Sequence, residues 1–298
     1  MTALDEGVGA TTRPGEPAGP DLVARFGRGR RSRTLWTLGL ALVVVLAVAV
    51  AGQLLQTSAG DPDLPSRLQP PSPVHPFGTD RFGQDLLQRT LVGLRLSLLV
   101  GTSAAVLSGA LALLLALVAV VGGRVAEAVV GWLVDLFLAL PHLVLLILIS
   151  FALGGGTLAV VIAVAVTHWP RLTRVLIATG RESAGADHVA ISRALGHGRV
   201  HVARRHLLPH LVPHLTVGTV LLFPHAILHE AALSFLGLGI DPGEPAIGIL
   251  LADSMRSLSA GHWWLAVLPG LALLVVVKLV DTIGNQGRAL LDPRSHHL

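Results

Sequence analysis

The stretch LLVGTSAAVLSGALALLLALVAVV (residues 98–121) carries no charged side chain and decides the class of this protein. A helix needs about 20 predominantly apolar residues to cross the hydrocarbon core of a bilayer. Further apolar runs lie on both sides of it. The six candidate spans cover residues 35–55, 96–121, 128–153, 157–176, 211–236 and 263–283. The sequence therefore predicts an all-α, polytopic membrane protein with six transmembrane helices.

The overall composition agrees with this prediction and excludes several functions. Of the 298 residues, 52% are hydrophobic and only 13% are charged, whereas soluble domains average about 25% charged residues. Cysteine is absent, which excludes a thiolate nucleophile and a disulfide framework. Neither a phosphate-binding loop with its Lys-Ser/Thr pair nor an HExxH motif occurs. We therefore expect no catalytic residue, and a net charge of +4 does not indicate a nucleic-acid surface.

The polar, arginine-rich segment before the first span leaves two interpretations. A basic segment followed by an apolar run is typical of a secretory signal peptide. Here the apolar run is longer than a typical signal peptide's, and the basic residues lie far from the start of the chain. An uncleaved membrane anchor at 35–56 is therefore favoured.

The distribution of basic residues predicts the orientation of the spans. Sixteen of the 22 lysine and arginine residues fall in the N-terminal tail, the turn after the second span, the segment 170–210 and the C-terminal tail. Cytoplasmic loops carry the excess of Lys and Arg, so we predict a multi-pass protein of the cytoplasmic (inner) membrane with both termini inside the cell. The predicted units are a cytoplasmic tail at 1–34, the anchor at 35–56, an external loop with an amphipathic entry segment at 57–94, a five-span core at 95–284 and a cytoplasmic tail at 285–298.

The most informative polar connection is the cytoplasmic segment 177–210. It predicts a short helix at about 188–195, with Asp187 as its cap and Gly196 in the left-handed position that ends it. One face of this helix is apolar and comprises Ile191, Ala194 and Leu195. Because so short a helix is not stable alone in water, it either packs on its own bundle or is presented to a cytoplasmic partner.

This segment resembles the EAA loop of type I ABC importer permeases, in the branch that carries dipeptides, oligopeptides and nickel. ALG at 194–196, followed by RRHLLPH at 204–210, carries the resemblance. Where that loop has Glu-Ala-Ala, this chain has Ala190, Ile191 and Ser192, so the carboxylate is missing while the apolar docking face is kept. Other motifs resemble the C-type subunit of the same branch: HPFGTDRFGQDLLQRTLVGLRLSLLVG (75–101), EAALSFLGLGIDPGEPAIG (230–248) and WWLAVLPG (263–270).

The resemblance implies one permease subunit of an ATP-driven importer in the lipid bilayer. A second permease subunit would supply the other half of the path, two ABC ATPase subunits would bind ATP and Mg, and an extracytoplasmic substrate-binding protein would dock outside. No cofactor is expected in this chain itself. The residues implied in coupling to the ATPases are Asp187, Ala190, Ile191, Ser192, Ala194, Leu195, Gly196 and Pro209.

Two groups of residues are candidates for contact with the substrate or with its binding protein. The first is an external rim of turn-forming residues, in which Asp80 is expected to cap the following helix; it comprises Gly78, Asp80, Gly83 and Asp85. The second is a translocation path or gate, and for its SFLGLG block (234–239) a tight helix exit is the alternative. Its candidates are His168, His225, His229, Glu230, Ser234, Phe235, Gly237 and Gly239.

Ionisable side chains within spans are costly and are therefore functional candidates. Asp135 is expected to reach the headgroups or to pair with another helix. Lys278 and Asp281 are predicted to form an ion pair at i, i+3 spacing. His225 and His229, at i, i+4 spacing, share one helical face.

These two histidines leave the substrate open. Such a pair can hold a divalent metal transiently when a third ligand arrives, or it can be a hydrogen-bonded pair in the core. The run PHAILHEAALSFLGLG (224–239) resembles the nickel members of the branch, which favours nickel or a metal chelate. A di- or oligopeptide permease without a metal role is the alternative, and an ion-driven secondary transporter is a third, less favoured candidate.

Overall fold

The computed structural model describes residues 20–241 and 243–291, with side chains described for 34–241 and 243–289. The outer parts of both predicted tails, 1–19 and 292–298, lie outside the described residues. In the described part of the chain the α-helices are α1 (Pro20–Leu54), α2 (Leu86–Gly122), α3 (Arg124–Ala139), α4 (His142–Ala152), α5 (Gly156–Ala184), α6 (Asp187–Ala194), α7 (Arg199–Val202), α8 (Leu208–Phe235), α9 (Ile247–Leu258) and α10 (Trp264–Leu291).

Short irregular helices complete the secondary structure. A 3-10 turn covers Leu64–Ser66, and a π-helical stretch at Ala203–Leu207 joins α7 to α8. Within the described residues, the only β-type pairing is an isolated bridge between Thr79 and Asp85. The predicted all-α class is therefore confirmed.

Five helical segments of the described chain are long and apolar enough to cross a membrane on their own. They are Thr34–Leu54 of α1, α2, α5, the run Arg199–Phe235 and α10. A sixth span results if α3 and α4 are counted as a pair, although they are bent by 98°. The predicted polytopic membrane protein is confirmed, with five to six candidate spans according to whether the bent pair is counted as one.

The bend divides the stretch 128–153, which the sequence predicts as one continuous span, and Pro141 explains where the bend occurs. A proline disfavours the α conformation in the residue before it. Leu140 is accordingly extended, with φ −79° and ψ 142°. The third span is therefore divided where the sequence places Leu140 and Pro141.

Two other boundaries differ from the prediction. α2 begins at Leu86, well before residue 96, because the Asp85 carboxylate accepts a hydrogen bond from the backbone N–H of Gln88 at 3.0 Å and so caps the helix. α9 lies in the stretch between the fifth and sixth predicted spans, which the sequence predicts as a loop. A helix of twelve residues is too short to cross a membrane, so a search for apolar spans does not detect it. Both additions lengthen the helical structure beyond the apolar runs.

Small residues let α2 pack closely in the middle of the bundle. A side-chain carbon added at Gly101 would lie 2.7 Å from Ile227 Cγ1 on α8. On α5, a carbon added at Gly180 would lie 3.0 Å from a methyl group of Val120 on α2. Helices in lipid associate through such close packing because their apolar side chains gain little by leaving the bilayer. These contacts fix α2 against both α5 and α8.

The connections collect at two ends of the bundle. We call residues 57–85 and 236–263 the α9 end, and residues 185–207 the α6 end. Gly156, at the start of α5, donates its N–H to the carbonyl of Gly239, just beyond α8, at 2.9 Å. α5 therefore begins where α8 finishes, and the predicted external and cytoplasmic motifs lie at opposite ends.

Candidate functional site

α6 presents apolar side chains away from the bundle. Ile191 is 61% exposed, and Leu195, directly after the helix, is 73% exposed. On another face Val189 is fully buried, in a cluster with Val202 and Leu207. The helix therefore rests on its own bundle through Val189 and leaves Ile191 and Leu195 for a neighbour.

The two termini of α6 confirm one prediction and correct another. Gly196 has φ +85°, the left-handed conformation predicted to end the helix. Asp187 is not the cap: Ala186 holds that position without a side-chain cap, and Asp187 is the first helical residue. The Asp187 carboxylate still stabilises the helix there, because it faces the positive end of the helix dipole.

The remaining predicted coupling residues divide into exposed and buried ones. Ala190, Ala194 and Pro209 are exposed. Ser192 is buried, and its Oγ has no hydrogen-bond partner among the described residues. Ser192 therefore lies on the inner side of α6 with Val189, where a docking protein would not contact it.

Both predictions of ion pairs near helix ends are confirmed. Asp135 of α3 pairs with Arg174 of α5, so the other helix is its partner. Lys278 Nζ lies 2.9 Å from Asp281 Oδ2 within α10. In both pairs the basic side chain is more than half exposed on the surface of this chain.

The predicted external rim is a loop held by its own hydrogen bonds. Gly78 and Gly83 have φ of +75° and +78°, which glycine adopts without strain. The Asp80 carboxylate accepts hydrogen bonds from the backbone N–H groups of Phe82 at 2.8 Å and Gln84 at 3.0 Å. Asp80 therefore closes the turn itself.

The partners of the two rim aspartates correct one expectation. Asp80 forms an ion pair with Arg89 and does not cap α2. Asp85 is the capping residue, and its second carboxylate oxygen lies 2.8 Å from Nδ1 of His75. The rim is thus tied to α2 at two points.

Glu230, a predicted path residue, is fully buried between α8 and α2. Its carboxylate accepts hydrogen bonds from Ser97 Oγ at 2.5 Å and from Ser234 Oγ at 2.9 Å. A side-chain carbon at Gly239 would lie 2.5 Å from the backbone nitrogen of Ser234. In this structure Glu230 therefore joins α8 to α2, and the close contact at Gly239 leaves no room for a side chain there. Two predicted gate residues are exposed, namely Phe235 and Gly237.

The histidines meet across helices and not along one helix. His229 of α8 contacts His142 of α4 and His168 of α5, with ring centroids 4.7 and 5.0 Å apart, and the rings of His142 and His168 are 4.6 Å apart. Each ring offers one nitrogen to a group whose members all lie within 4.8 Å of one another. His225 is exposed and is not part of this group.

His142 is the site residue whose role helical spacing could not reveal. It is the first residue of α4, directly after the bend at Pro141. A histidine next to a proline inside an apolar run was the available signal. His168 was a predicted path residue, and the structure brings it to His229 as a neighbour.

Comparisons with known proteins agree with this architecture. Residues 98–296 match the family described as binding-protein-dependent transport system inner membrane component. A Brucella suis protein, named provisionally as a peptide transport system permease, is 35% identical over 92% of this chain and 91% of its own length. The di/tripeptide transport system permease protein DppC of Pseudomonas aeruginosa is 39% identical over 73% of this chain and 72% of its own length. The chain therefore belongs to the family of binding-protein-dependent inner membrane permeases, as an ABC importer permease of the multi-pass type.

Proposed function

We propose that this chain forms half of the translocation path of an ATP-driven importer for small peptides, and that α6 is the contact through which ATPase subunits drive it. The exposed apolar pair of Ile191 and Leu195 carries the coupling proposal. Apolar side chains at the end of a membrane bundle, where polar residues would be favoured, are typical of an interaction surface.

The connections of α6 explain how a push on it would reach the membrane. Only Gly185 and Ala186 separate α6 from α5, and from Arg199 onward the chain is helical to the end of α8. α5 and α8 carry His168 and His229, so a displacement of α6 is transmitted to the helices that hold these side chains. Alternating access follows when the ATPases bind one arrangement of α5 and α8 more tightly than the other.

The bent pair α3 and α4 supports the need for a second permease subunit. Non-helical backbone at membrane depth is tolerated only where protein covers it or where it lines a water-filled cavity. Leu140 and Pro141 interrupt the helix and are exposed in this chain. A second permease subunit packed on this face would cover the break and complete the path.

The comparisons favour peptides as cargo. The relatives described above carry names that refer to peptides or to di- and tripeptides. They add no support to the nickel prediction, which rested on the resemblance of residues 224–239, including His225 and His229, to the nickel members of the branch. The ion-driven alternative is not favoured either, because the family is one of binding-protein-dependent transport.

The coupling proposal is tested by replacing both Ile191 and Leu195 with serine. We expect loss of ATPase co-purification with the permease and loss of ATP-dependent uptake, with normal membrane insertion. The matched control is Leu158→Ser, because Leu158 is 72% exposed like Leu195 but opens α5 at the opposite end of the bundle. Unchanged ATPase binding by the double variant would rule out α6 as the docking contact.

The cargo is tested with the complete transporter and its binding protein in proteoliposomes. We expect ATP-dependent uptake of labelled di- and tripeptides, which excess unlabelled peptide abolishes and nickel ion does not. Uptake of nickel without competition by peptide would instead support the metal assignment.

A further inference from the structure

We propose that His142, His168 and His229 form a binding site for one divalent transition-metal ion of the zinc, cobalt or nickel class. Three imidazoles from three different helices converge so that one nitrogen of each lies within 4.8 Å of the other two, and no spacing along a single helix could produce this arrangement. The inference goes beyond the proposed peptide transport, because it concerns an ion held by α4, α5 and α8 and not the transported substrate.

The distances between the imidazole nitrogens fit this ion after a small adjustment. Zinc binds imidazole nitrogen at about 2.0–2.1 Å, which places tetrahedral ligand nitrogens roughly 3.3 Å apart. The three nitrogens lie within 4.8 Å of one another. Rotation of the rings about their side-chain bonds can supply the remaining approach, and three ligands leave a fourth position for water.

Hydrogen bonds to the backbone prepare two of the three rings for metal binding. Nδ1 of His168 lies 2.9 Å from the carbonyl oxygen of Val164, and Nδ1 of His229 lies 2.7 Å from that of His225. A carbonyl oxygen can only accept, so each Nδ1 carries the proton and donates it. Nε2 of each neutral ring is then left with a free lone pair, which is the tautomer that metal-binding histidines use.

The site lies away from the ends of the helices that form it. At 1.5 Å per residue, His142, His168 and His229 lie roughly 15, 18 and 9 Å along their helices from the α9-end termini. His168 is buried, whereas His142 and His229 are only partly buried, so the site is open on one side of this chain.

The positive charge of Arg171 repels a bound cation, so a substitution of Arg171 should change the affinity for the metal ion. Arg171 lies three residues after His168 on α5, and helical spacing places side chains three residues apart next to each other on one face. Positive charge so close to the rings weakens cation binding. Arg171→Gln should therefore tighten metal binding while all three ligands stay in place.

The proposal is tested by titrating the purified transporter with Co²⁺, whose tetrahedral imidazole complexes absorb visible light. All compared proteins carry His197→Ala and His201→Ala, because those two rings stack at 4.0 Å in the α6 end and offer a competing site. We expect one tetrahedral Co²⁺ in this background, an affinity loss of more than about 100-fold on adding His142→Ala or His229→Ala, and tighter binding with Arg171→Gln. Removal of an outer-shell partner alone typically costs about 10–100-fold.

The matched control is His225→Ala, which removes an exposed imidazole one turn from His229 on the same helix. Its affinity for Co²⁺ should stay within about threefold of the background, since it is not among the three ligands. Thermal unfolding without metal must show that the His142 and His229 variants are folded, and Co²⁺ should raise the midpoint of the background protein because the ion binds the folded state. Absence of tetrahedral Co²⁺ in the background protein, its retention in both ligand variants, or an equal loss in His225→Ala would overturn the site.

Discussion

The α9 end and the α6 end of the bundle differ in how their connections are held. At the α9 end Asp80 closes a turn and pairs with Arg89, and neither side chain is more than 16% exposed. At the α6 end the short helix α6 rests on the bundle through Val189, while Ile191 and Leu195 point outward. Both ends expose apolar side chains, such as Trp263 at the α9 end, so the difference lies in the buried polar contacts. A loop tied by such contacts is held rigidly, whereas a short helix held on one face can be moved by a neighbouring protein.

The largest expected effect is at the buried ion pair of the α9 end. Asp80→Ala removes the turn-closing acceptor and leaves the Arg89 guanidinium largely buried without its partner. Loss of one member of a buried pair costs about 3–5 kcal/mol, so we expect a markedly lower thermal unfolding midpoint in detergent. Arg81→Ala is the control, because Arg81 forms an exposed pair with Asp253 at 3.2 Å. Equal effects of the two substitutions would contradict the view that the α9 end is held by its buried pair.

A second substitution tests the tight packing of α9 on α8. A carbon added at Gly248 would lie 2.7 Å from both the backbone nitrogen of Phe235 and Cβ of Ser234. Overpacking typically costs about 1–3 kcal/mol, so Gly248→Val should lower the unfolding midpoint, measured in the same detergent. Gly131→Ala on α3 is the control, since no atom lies within 4 Å of its added carbon. A midpoint unchanged by Gly248→Val would show that α9 can move away from α8.

At the α6 end we expect function to change more than stability. Gly196→Val forces a β-branched residue into the left-handed region, at about 1–2 kcal/mol, and shifts the end of α6 relative to the ATPases. ATP-dependent uptake should fall while the permease still inserts and folds. Gly196→Asn is the matched control, because asparagine tolerates the left-handed conformation, and it should keep most of the uptake. If both variants transport normally, the geometry of this helix end does not matter for coupling.

The smallest effect is expected for an ion pair next to the α6 end, between the start of α3 and the end of α5. Glu127 of α3 pairs with Arg181 of α5, and both side chains are more than 40% exposed. Glu127→Gln should change the free energy of unfolding by less than about 1 kcal/mol, because water screens exposed pairs. Chemical unfolding at low and high salt provides the measurement. A loss of unfolding free energy as large as that of Asp80→Ala would contradict the proposed difference between the two ends.

Several parts of the candidate site could be predicted because they depend on neighbours in the chain. Gly196 ends α6 as expected, since the left-handed conformation is a property of one residue. Lys278 and Asp281 pair as expected, since helical spacing brings them together. Asp80 and Asp85 show the limit of local rules: both suit a helix cap, and the surrounding loop gives Asp85 that place.

Adjacent residues on α8 show what local rules leave open. His229 and Glu230 are both ionisable and both lie in an apolar span. Glu230 is buried with Ser97 of α2, whereas His229 turns to His142 and His168. Helical spacing indicates that the two side chains point about 100° apart, but it does not indicate which helix stands in either direction.

The sequence alone determined that this protein lies in the membrane as apolar helices, where α6 ends and which family it resembles, because hydropathy, turn chemistry and motifs are written in consecutive residues. Only the tertiary structure decided that the third span bends by 98°, that Val189 is buried while Ile191 is exposed, and that three histidines from three helices meet. Those outcomes depend on contacts between residues far apart in the chain, which are set by how the helices pack as a whole.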